Sequence, residues 1–298
     1  MTDLAVLITA YNDHVGLDMV LRSIEEEDNS FTVLIVDDGS DSPIEIDREE
    51  FSFKIEVISL AVNQGTAKAA NVGLKWIREN GYRFVARLDA GDLQVRNRLG
   101  IQYDYLNRSE ELVLVGSNAI FRDEITGDVL FETDLPREWE EIKKWSVFRT
   151  CFIHPTVMLR LDRLEDSYEY STKYPYIDDY DFVTRIAMNY PSAVLAAPLL
   201  HCFVREAGLS RTHDREQLVA GIRHHLDHPE WFNHLWYGYI AKRLIYLLVP
   251  FRSRVGVKGL LKMVKRPAEK NISDGTASHS IPPQISKTKR TKTHVHLN

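Results

Sequence analysis

The amino-acid sequence predicts an α/β protein with a Rossmann-like, mostly parallel sheet and helices on both faces. Short apolar runs rich in β-branched residues alternate with segments of helical periodicity, which is the pattern of βαβ units. Acidic clusters follow three of these runs at the point where each predicted strand ends. Ligands of open α/β sheets bind at that edge, so the pattern also predicts a binding site.

The first half of the chain carries four predicted strands, at residues 5–9, 31–36, 55–60 and 84–88. Three segments between or after them have apolar residues every three to four positions, as an amphipathic helix requires. These predicted helices cover residues 17–24, 66–79 and 98–107.

The second half predicts a strand at 112–121 and an antiparallel ribbon over 125–131, with a turn at Thr126 and Gly127. Helices are expected at 138–148 and 177–187, and a last strand at 194–200.

Composition excludes several classes of protein. The two cysteines, Cys151 and Cys202, are far apart and predict neither a disulfide framework nor a zinc site. The apolar run at 4–10 is too short for a signal peptide, and no apolar stretch reaches membrane-spanning length. A cytoplasmic protein of enzyme size is therefore expected.

Charge is distributed unevenly along the chain. Residues 251–298 contain eleven Lys or Arg and two acids, so the net −6 divides into +9 there and −15 on residues 1–250. A basic tail on an acidic body predicts a polyanionic partner for the tail, such as an anionic lipid surface or nucleic acid. The alternative is that residues 267–298 form a solvated, disordered tail.

The fourth predicted strand ends at a pair of carboxylates, Asp89 and Asp92. Taken alone, this pattern predicts a polar turn in which Asp89 caps the next helix. Acidic clusters at 9–13 and 37–40 converge on the same edge, which favours a ligand site instead. A dinucleotide or P-loop site is disfavoured because no Gly-rich phosphate loop follows the first strand.

Six motifs occur in a fixed order between residue 4 and about residue 210. They are ITAYND (8–13), IVDDGSD (35–41), NQGTAKAANVGL (63–74), ARLDAGD with Arg98 and Leu99 after it (86–99), FIHPTVMLR (152–160) and IDDYDFVTRIA (177–187). Together they resemble the family 2 glycosyltransferases of bacterial surface-polysaccharide type. The resemblance implies a GT-A fold and a nucleotide-sugar-dependent enzyme that is usually inverting.

The resemblance implies a donor site at the carboxyl edge of the first strands. Tyr11 would stack on the base, and Asp38 would accept from the ring N–H of uracil, a role that suits a pure acceptor. A cation beside a helix N-terminus suits a diphosphate, although Lys68 could also be a solvated surface lysine. Arg205 would contact the diphosphate with its guanidinium fork. The nucleotide-binding set is Thr9, Tyr11, Asp13, Asp38, Gly65, Lys68 and Asp89.

Asp89 and Asp92 match the outer acids of the metal motif of this family. A divalent cation, Mn²⁺ or Mg²⁺, would lie between their oxygens and the sugar diphosphate. The sequence departs from the motif at Gly91, which stands where the family has an acid that usually binds the metal directly. Metal binding here would need Asp89 or Asp92 to take over that role.

The acceptor half begins near His154, which the resemblance implies as an acceptor contact. A structural hydrogen-bonding role is the alternative. Asp179 would be the catalytic base, taking the proton of the acceptor hydroxyl, and Asp178 would orient or polarise. A partly desolvated carboxylate near other acids would have a raised pKa that suits this task. Asp181 is a further candidate, and acids that only complement the helix dipole are the alternative for all three.

The domain organisation follows from these motifs. Residues 1–215 form the predicted transferase domain, with a nucleotide half at 1–110 and an acceptor half at 111–215. Residues 216–266 form a helical extension whose aromatic and basic residues predict either peripheral membrane contact or core packing. No membrane-spanning segment follows residue 187, so a linear polymerase is not expected.

The expected activity is transfer of a hexosyl or N-acetylhexosaminyl group from a UDP-sugar to a saccharide hydroxyl. The expected acceptor is a polyprenyl-diphosphate-linked or oligosaccharide chain in surface polysaccharide or O-antigen assembly. We expect peripheral contact with an anionic membrane at the inner face of the plasma membrane, and no nucleic-acid partner. A nucleotidyltransferase and a non-catalytic sugar-nucleotide-binding protein are the alternatives.

Overall fold

A computed structural model describes residues 1–24, 26, 28–205, 212–229 and 233–248. These residues belong to the first of two compact units of the chain, Met1–Phe251. The predicted basic tail at 267–298 and the end of the predicted extension, at 249–266, lie outside the described residues.

The described strands form one nine-stranded sheet in the order β3-β2-β1-β4-β8-β6-β9-β5, with β7 paired to β6. The strands are β1 Leu4–Ala10, β2 Thr32–Asp37, β3 Lys54–Ser59, β4 Phe84–Asp89, β5 Leu93–Gln94, β6 Leu114–Asp123, β7 Val129–Glu132, β8 Met158–Arg160 and β9 Ser192–Val204.

Strands β1 to β4 are parallel and form the Rossmann-like half of the sheet. In the register of β1, Thr9 lies opposite Asp89 of β4, and Ala10 lies opposite Asp37 of β2. The carboxyl ends of three strands therefore meet at one edge. Strand β8 is antiparallel to both β4 and β6, while β9 is parallel to β6.

Helices cover both faces of the sheet because successive strand residues point to opposite sides. Helices α1 and α3 pack on the face that carries Val6 and Ile8 of β1. Helices α2 and α5 pack on the opposite face, against a core that includes Leu7. The helices are α1 His14–Ser23, α2 Thr66–Glu79, α3 Arg98–Arg108, α4 Trp139–Ser146, α5 Asp178–Asn189, α6 Asp214–Asp227 and α7 His234–Leu248.

The structure confirms the predicted α/β fold and differs from the prediction mainly in the short strands. Strands β5 and β8 have two and three residues, too few for a periodic pattern. Strand β9 has 13 residues and ends at Val204, four residues beyond the predicted end at residue 200. It contains Pro198 in its interior. The register shifts between β6 and β9 near Asn118, opposite this proline, which agrees with the tendency of strand prolines to lie at bulges.

The helical extension packs on the acceptor half through its aromatic residues. The ring of Tyr239 stacks on that of Tyr180 with 6.3 Å between centroids, and His225 Nε2 lies 2.8 Å from the carbonyl oxygen of Val147. Leu244, Ile245 and Leu248 of α7 are exposed. Helix α7 therefore buries one side in the core, as the core-packing alternative expected, and presents apolar residues on another side. Among the described residues, every helix is too short or too polar to cross a membrane.

Candidate active site

The loops after β1 and β2 are tied together at the carboxyl edge of the sheet. The backbone N–H of Asn12 donates to Ser40 Oγ at 2.9 Å, and the backbone N–H of Asp41 donates to Asn12 Oδ1 at 2.9 Å. Thr9 is the one partly buried residue of the otherwise buried strand β1, and the ring of Tyr11 beyond it is 46 % exposed. The exposed ring lies on a fixed loop, which suits the predicted stacking on a base.

Asp38 holds the loop that follows β3. Its two carboxylate oxygens accept from the backbone N–H groups of Gln64 and Gly65, both at 2.8 Å, and the residue is 3 % exposed. Gly39 has φ +73°, and a Cβ there would lie 2.4 Å from the carbonyl carbon of Val62, so the turn requires glycine. The structure thus gives Asp38 a positioning role that the sequence did not predict. Its direct contact with uracil stays a prediction.

The N-terminal end of α2 lies just beyond this loop. Helix α2 begins at Thr66, directly after its N-cap Gly65, and Lys68 in its first turn is exposed. The structure therefore places both predicted residues beside the carboxyl end of β3, as the sequence suggested. Their contact with a diphosphate stays a prediction.

Asp13 links the first loop to the end of β9. Its Oδ1 accepts from the backbone N–H of Gly16 at 2.8 Å and so caps helix α1. Its Oδ2 accepts from Arg205 Nη1 at 2.7 Å, across 192 residues of sequence. This ion pair brings two predicted donor-site residues together.

Arg205 is held on a second side by Glu124, whose Oε1 lies 3.1 Å from Nε. The guanidinium covers Gly91, because a Cβ placed on Gly91 would lie 1.8 Å from Arg205 Nη2. Gly91 also has φ +87°, a conformation that favours glycine. The residue that departs from the family motif is therefore the residue against which Arg205 packs.

Arg87 is a buried site residue that the sequence analysis missed. It is 2 % exposed on β4, and its guanidinium donates to the carbonyl of Leu7 at 3.0 Å. Nη2 also lies 3.4 Å from both Thr9 Oγ1 and Asp89 Oδ1. An arginine in the middle of an apolar strand was the available signal, since arginine is rarely fully buried unless it is paired.

Asp89 lies at the end of β4 between this arginine and His154. Its Oδ2 is 3.8 Å from His154 Nδ1. Burial raises the pKa of Asp89, but the neighbouring His154, Arg87 and Arg98 outweigh burial and hold that pKa below its usual value. Asp89 is therefore ionised at neutral pH.

Asp92 points back toward β9. Its Oδ1 accepts from the backbone N–H of Phe203 at 3.3 Å. Burial, and next the charge of Asp89, raise the pKa of Asp92 to about 7. The fully buried Arg98 donates from Nη2 to the carbonyl of Arg87 at 2.9 Å, and burial lowers the pKa of its guanidinium to about 10.

His154 is fixed by Tyr170, a second residue that the sequence analysis missed. His154 Nε2 is 2.8 Å from the Tyr170 hydroxyl, and the Tyr170 ring stacks on Phe182 with 3.9 Å between centroids. Asn71 holds the backbone of Tyr170 with hydrogen bonds of 2.7 and 2.9 Å across 99 residues. The structure therefore places His154 beside Asp89, and its contact with an acceptor stays a prediction.

Asp178 and Asp179 open helix α5 on the acceptor side. Asp179 is exposed, and its Oδ1 accepts from the backbone N–H of Tyr180 at 2.7 Å. Burial and the charge of Asp179 raise the pKa of Asp178 to about 6. The Tyr170 hydroxyl contacts His154, which lies beside Asp89, and the Tyr170 ring stacks on Phe182 of α5, so Tyr170 connects the two parts of the site.

Asp181 does not belong to this pair, which corrects its status as a candidate base. The residue is 1 % exposed, with Oδ2 2.8 Å from Arg185 Nε and Oδ1 3.0 Å from His224 Nε2. Burial raises the pKa of Asp181, but the hydrogen bonds and charges of His224 and Arg185 lower it by more, so this pKa lies below its usual value. Asp181 fixes α5 against α6 and cannot reach an acceptor.

The described residues fit a metal site poorly. They contain no group of three or more His, Cys, Asp or Glu placed to hold a cation. Of the two predicted ligands, Asp89 is paired with Arg87, and Asp92 accepts from the Phe203 amide. Gly91 has no side chain to bind a cation, and the neighbouring Asp13 is paired with Arg205. Two further histidines are engaged elsewhere, since His201 Nδ1 accepts from Arg122 and His213 stacks on Tyr176.

A parallel Rossmann-like half, a mixed second half and acids from both halves at one edge together define a GT-A glycosyltransferase. The family model described as "Glycosyl transferase family 2" matches residues 5–165, and the chain belongs to that family.

Curated relatives act in polysaccharide assembly. The chain is 29% identical over 206 residues to the amylovoran biosynthesis glycosyltransferase AmsE of Erwinia amylovora, covering 66% of this chain and 74% of that protein. It is 26% identical over 195 residues to the O-antigen biosynthesis glycosyltransferase WbnJ of Escherichia coli, covering 63% of this chain and 73% of that protein. The protein is therefore a glycosyltransferase with relatives in polysaccharide and O-antigen biosynthesis.

Solved structures share the fold at low sequence identity. S. aureus TarS 1-349 in complex with UDP-GlcNAc superposes with a TM-score of 0.58 at 15% identity, covering 84% of this chain and 77% of that one. The mannosyltransferase PcManGT of Pyrobaculum calidifontis, in complex with GDP-Man and Mn²⁺, superposes with a TM-score of 0.54 at 14% identity. The match covers 88% of this chain and 80% of that one.

Proposed function

We propose that this protein transfers a hexosyl or N-acetylhexosaminyl group from a UDP-sugar to a hydroxyl of a saccharide acceptor, with inversion at the anomeric carbon. One observation carries the proposal. His154 lies between the two halves, with Nδ1 3.8 Å from Asp89 Oδ2 and Nε2 2.8 Å from the hydroxyl of Tyr170, whose ring stacks on Phe182 of helix α5. A donor beside Asp89 and an acceptor beside helix α5 would meet at that point.

Asp179 is the proposed base because it is exposed in the first turn of α5. It accepts the proton of the acceptor hydroxyl while the hydroxyl oxygen bonds to the anomeric carbon. The bond from that carbon to the diphosphate oxygen breaks, and UDP leaves with the electron pair. Asp178 lies beside the base and keeps the local potential negative, which favours proton transfer to the pair.

On the donor side, Tyr11 stacks on the base, and the loop held by Asp38 faces the nucleotide. Arg205 contacts the diphosphate with charge-assisted hydrogen bonds. Mn²⁺ accompanies GDP-Man in the PcManGT structure. We derive no metal-dependent step for this chain, because its described residues do not supply a set of donors for a cation.

The proposed acceptor is a polyprenyl-diphosphate-linked or oligosaccharide chain in surface polysaccharide or O-antigen assembly. The relatives in amylovoran and O-antigen biosynthesis support this choice. The basic segment at 251–298 and the exposed apolar residues of α7 support peripheral contact with the anionic inner face of the plasma membrane. Those basic residues would add electrostatic attraction to lipid headgroups.

The test incubates the purified chain with a panel of UDP- and GDP-sugars and measures nucleotide release, with and without lipid-linked and free oligosaccharide acceptors. The proposal predicts slow hydrolysis of one UDP-sugar, acceleration by an acceptor, and a product of inverted anomeric configuration by NMR. Binding of a UDP-sugar without hydrolysis or transfer would support the non-catalytic alternative and overturn the proposed activity.

A further inference from the structure

The contact between Gly91 and Arg205 determines which kind of cation this site can hold. A Cβ on Gly91 would lie 1.8 Å from Arg205 Nη2 and 2.6 Å from its Cζ. Real side chains do not approach this closely. An acid at position 91 and the guanidinium of Arg205 in this position therefore exclude each other.

Two carboxylates hold the guanidinium in this position. Asp13 Oδ2 accepts from Nη1 at 2.7 Å, and Glu124 Oε1 lies 3.1 Å from Nε. A guanidinium carries five N–H donors, so these contacts leave the donors of Nη2 over the backbone of Gly91. Because glycine has no side chain, nothing at position 91 covers Nη2 of Arg205.

The guanidinium of Arg205 lies where a divalent cation of the family motif would bind, and it carries positive charge as that cation would. Position 91 follows the strand end that carries Asp89, at the edge where the proposed diphosphate binds. A guanidinium fork matches phosphate oxygens with two parallel hydrogen bonds and stays protonated at all relevant pH values. It needs no carboxylate ligand from position 91.

We propose that Arg205, packed against Gly91, supplies the positive charge that compensates the donor diphosphate, so that nucleotide binding by this chain does not depend on a divalent cation. The inference rests on the proposed nucleotide-sugar donor. It goes beyond a diphosphate contact because it makes Gly91 and Arg205 one functional pair that takes the place of a metal site.

The experiment is calorimetric titration of the full chain with UDP and with GDP, each in EDTA and in Mn²⁺. The dissociation constant of the preferred nucleotide is expected to agree within about two-fold between the two conditions. Electron paramagnetic resonance of Mn²⁺ supplies a readout independent of affinity and activity. The protein–UDP mixture should leave as much free Mn²⁺ signal as UDP alone.

Variants test the pair directly. Arg205→Ala should weaken nucleotide binding about ten- to a hundred-fold, the equivalent of one or two charge-assisted hydrogen bonds, and Mn²⁺ should not restore it. Arg108→Ala, an exposed arginine at the end of α3, is the matched control and should bind as the wild type does. The double variant Gly91→Asp with Arg205→Ala should regain nucleotide binding only when Mn²⁺ is present. Thermal melting of each variant identifies those that fail to fold, and the wild-type titrations decide without them whether nucleotide binding depends on a divalent cation.

The outcomes separate this inference from the proposed function. Binding that weakens ten-fold or more in EDTA and returns with Mn²⁺ would overturn the role of Arg205 and leave the nucleotide donor intact. Equal binding in EDTA and Mn²⁺, together with loss in Arg205→Ala, supports the inference. Failure to bind either nucleotide in any condition would overturn both proposals.

Discussion

Asp13 and Asp38 of the donor half and Asp178 of the acceptor half are held in opposite ways. In the donor half, Asp13 and Asp38 accept hydrogen bonds from backbone amides of loops and a helix end, and Asp13 also pairs with Arg205. In the acceptor half, Asp178 stands beside Asp179 in the first turn of α5, and burial with like charge raises the pKa of Asp178 to about 6. Asp13 and Asp38 therefore stabilise the fold that surrounds them, whereas Asp178, like Asp92 beside Asp89, is held at an electrostatic cost.

This difference separates acids that build a site from acids that react in it. A carboxylate that accepts two backbone N–H groups is fixed in place and poorly suited to take a proton. A carboxylate with a raised pKa is a better proton acceptor near neutral pH. Substitution of Asp13 or Asp38 should therefore lower the free energy of unfolding, and substitution of Asp178 should raise it.

The largest stability effect is expected for Asp38→Asn. The amide would place an NH2 group against one of the two backbone N–H groups that Asp38 now accepts, at Gln64 and Gly65. Leaving a buried donor unpaired should lower the free energy of unfolding by about 2 to 3 kcal/mol. Urea denaturation measures this, with Asp104→Asn on the exposed side of α3 as the control. A loss equal to that of the control would show that Asp38 does not hold the loop.

Asp13→Ala should have a smaller effect of the same sign. The variant loses the cap on Gly16 and one partner of Arg205, so the free energy of unfolding should fall by about 1 to 2 kcal/mol. Salt should reduce the difference from the wild type, because part of it is an ion pair at a partly exposed site. Denaturation at low and high salt tests this, and a difference that grows with salt would contradict it.

Asp178→Asn should stabilise the protein. The pKa of Asp178 is about 6 in the folded state and 3.8 in its ordinary state, so the folded chain binds the proton more tightly. Stability therefore falls as the pH rises from about 4 to about 6, and Asn, which does not titrate, escapes this loss. After allowance for solvent screening, we expect a gain of about 1 to 2 kcal/mol at pH 7 and no gain at pH 3. A variant that is less stable than the wild type at pH 7 would remove the contrast between the halves.

Tyr170→Phe should give the smallest change. The variant keeps the stacking on Phe182 and loses the hydrogen bond between the hydroxyl and His154 Nε2. The free energy of unfolding should fall by about 1 kcal/mol, the usual net value of one hydrogen bond. The ring-nitrogen chemical shifts of His154 in NMR spectra should change in the variant, because Nε2 loses its hydrogen-bond partner. Unchanged shifts would contradict the link between the two halves through Tyr170.

The sequence predicted the parallel half of the fold well. Strands β1, β2 and β4 are buried apolar runs, and helix α2 begins and ends at the predicted residues 66 and 79. These elements are long enough to show their own periodicity. Strands β5 and β8 exist only because longer neighbours pair with them, so no local pattern could reveal them.

The site was predicted in part for the same reason. Acids at the ends of predicted strands can be assigned to one site from the sequence, because the sheet topology brings those strand ends together. Contacts between side chains of distant segments cannot be predicted in this way. Examples are Asn71 with Tyr170 and Asp13 with Arg205. The engagement of Asp181 by Arg185 and His224 likewise depends on the packing of α6 against α5. Sequence spacing alone left Asp181 as a further candidate beside Asp179.

The most direct test of the account compares sugar transfer by Asp179→Asn with transfer by the wild type and by the exposed control Asp104→Asn, at saturating donor and acceptor. Removal of the base should lower the turnover rate about a hundred- to ten-thousand-fold, leave UDP affinity unchanged and not lower the melting temperature. The control should transfer at the wild-type rate. An Asp179→Asn variant that turns over within a few-fold of the wild type would show that the acids of helix α5 do not carry the chemistry.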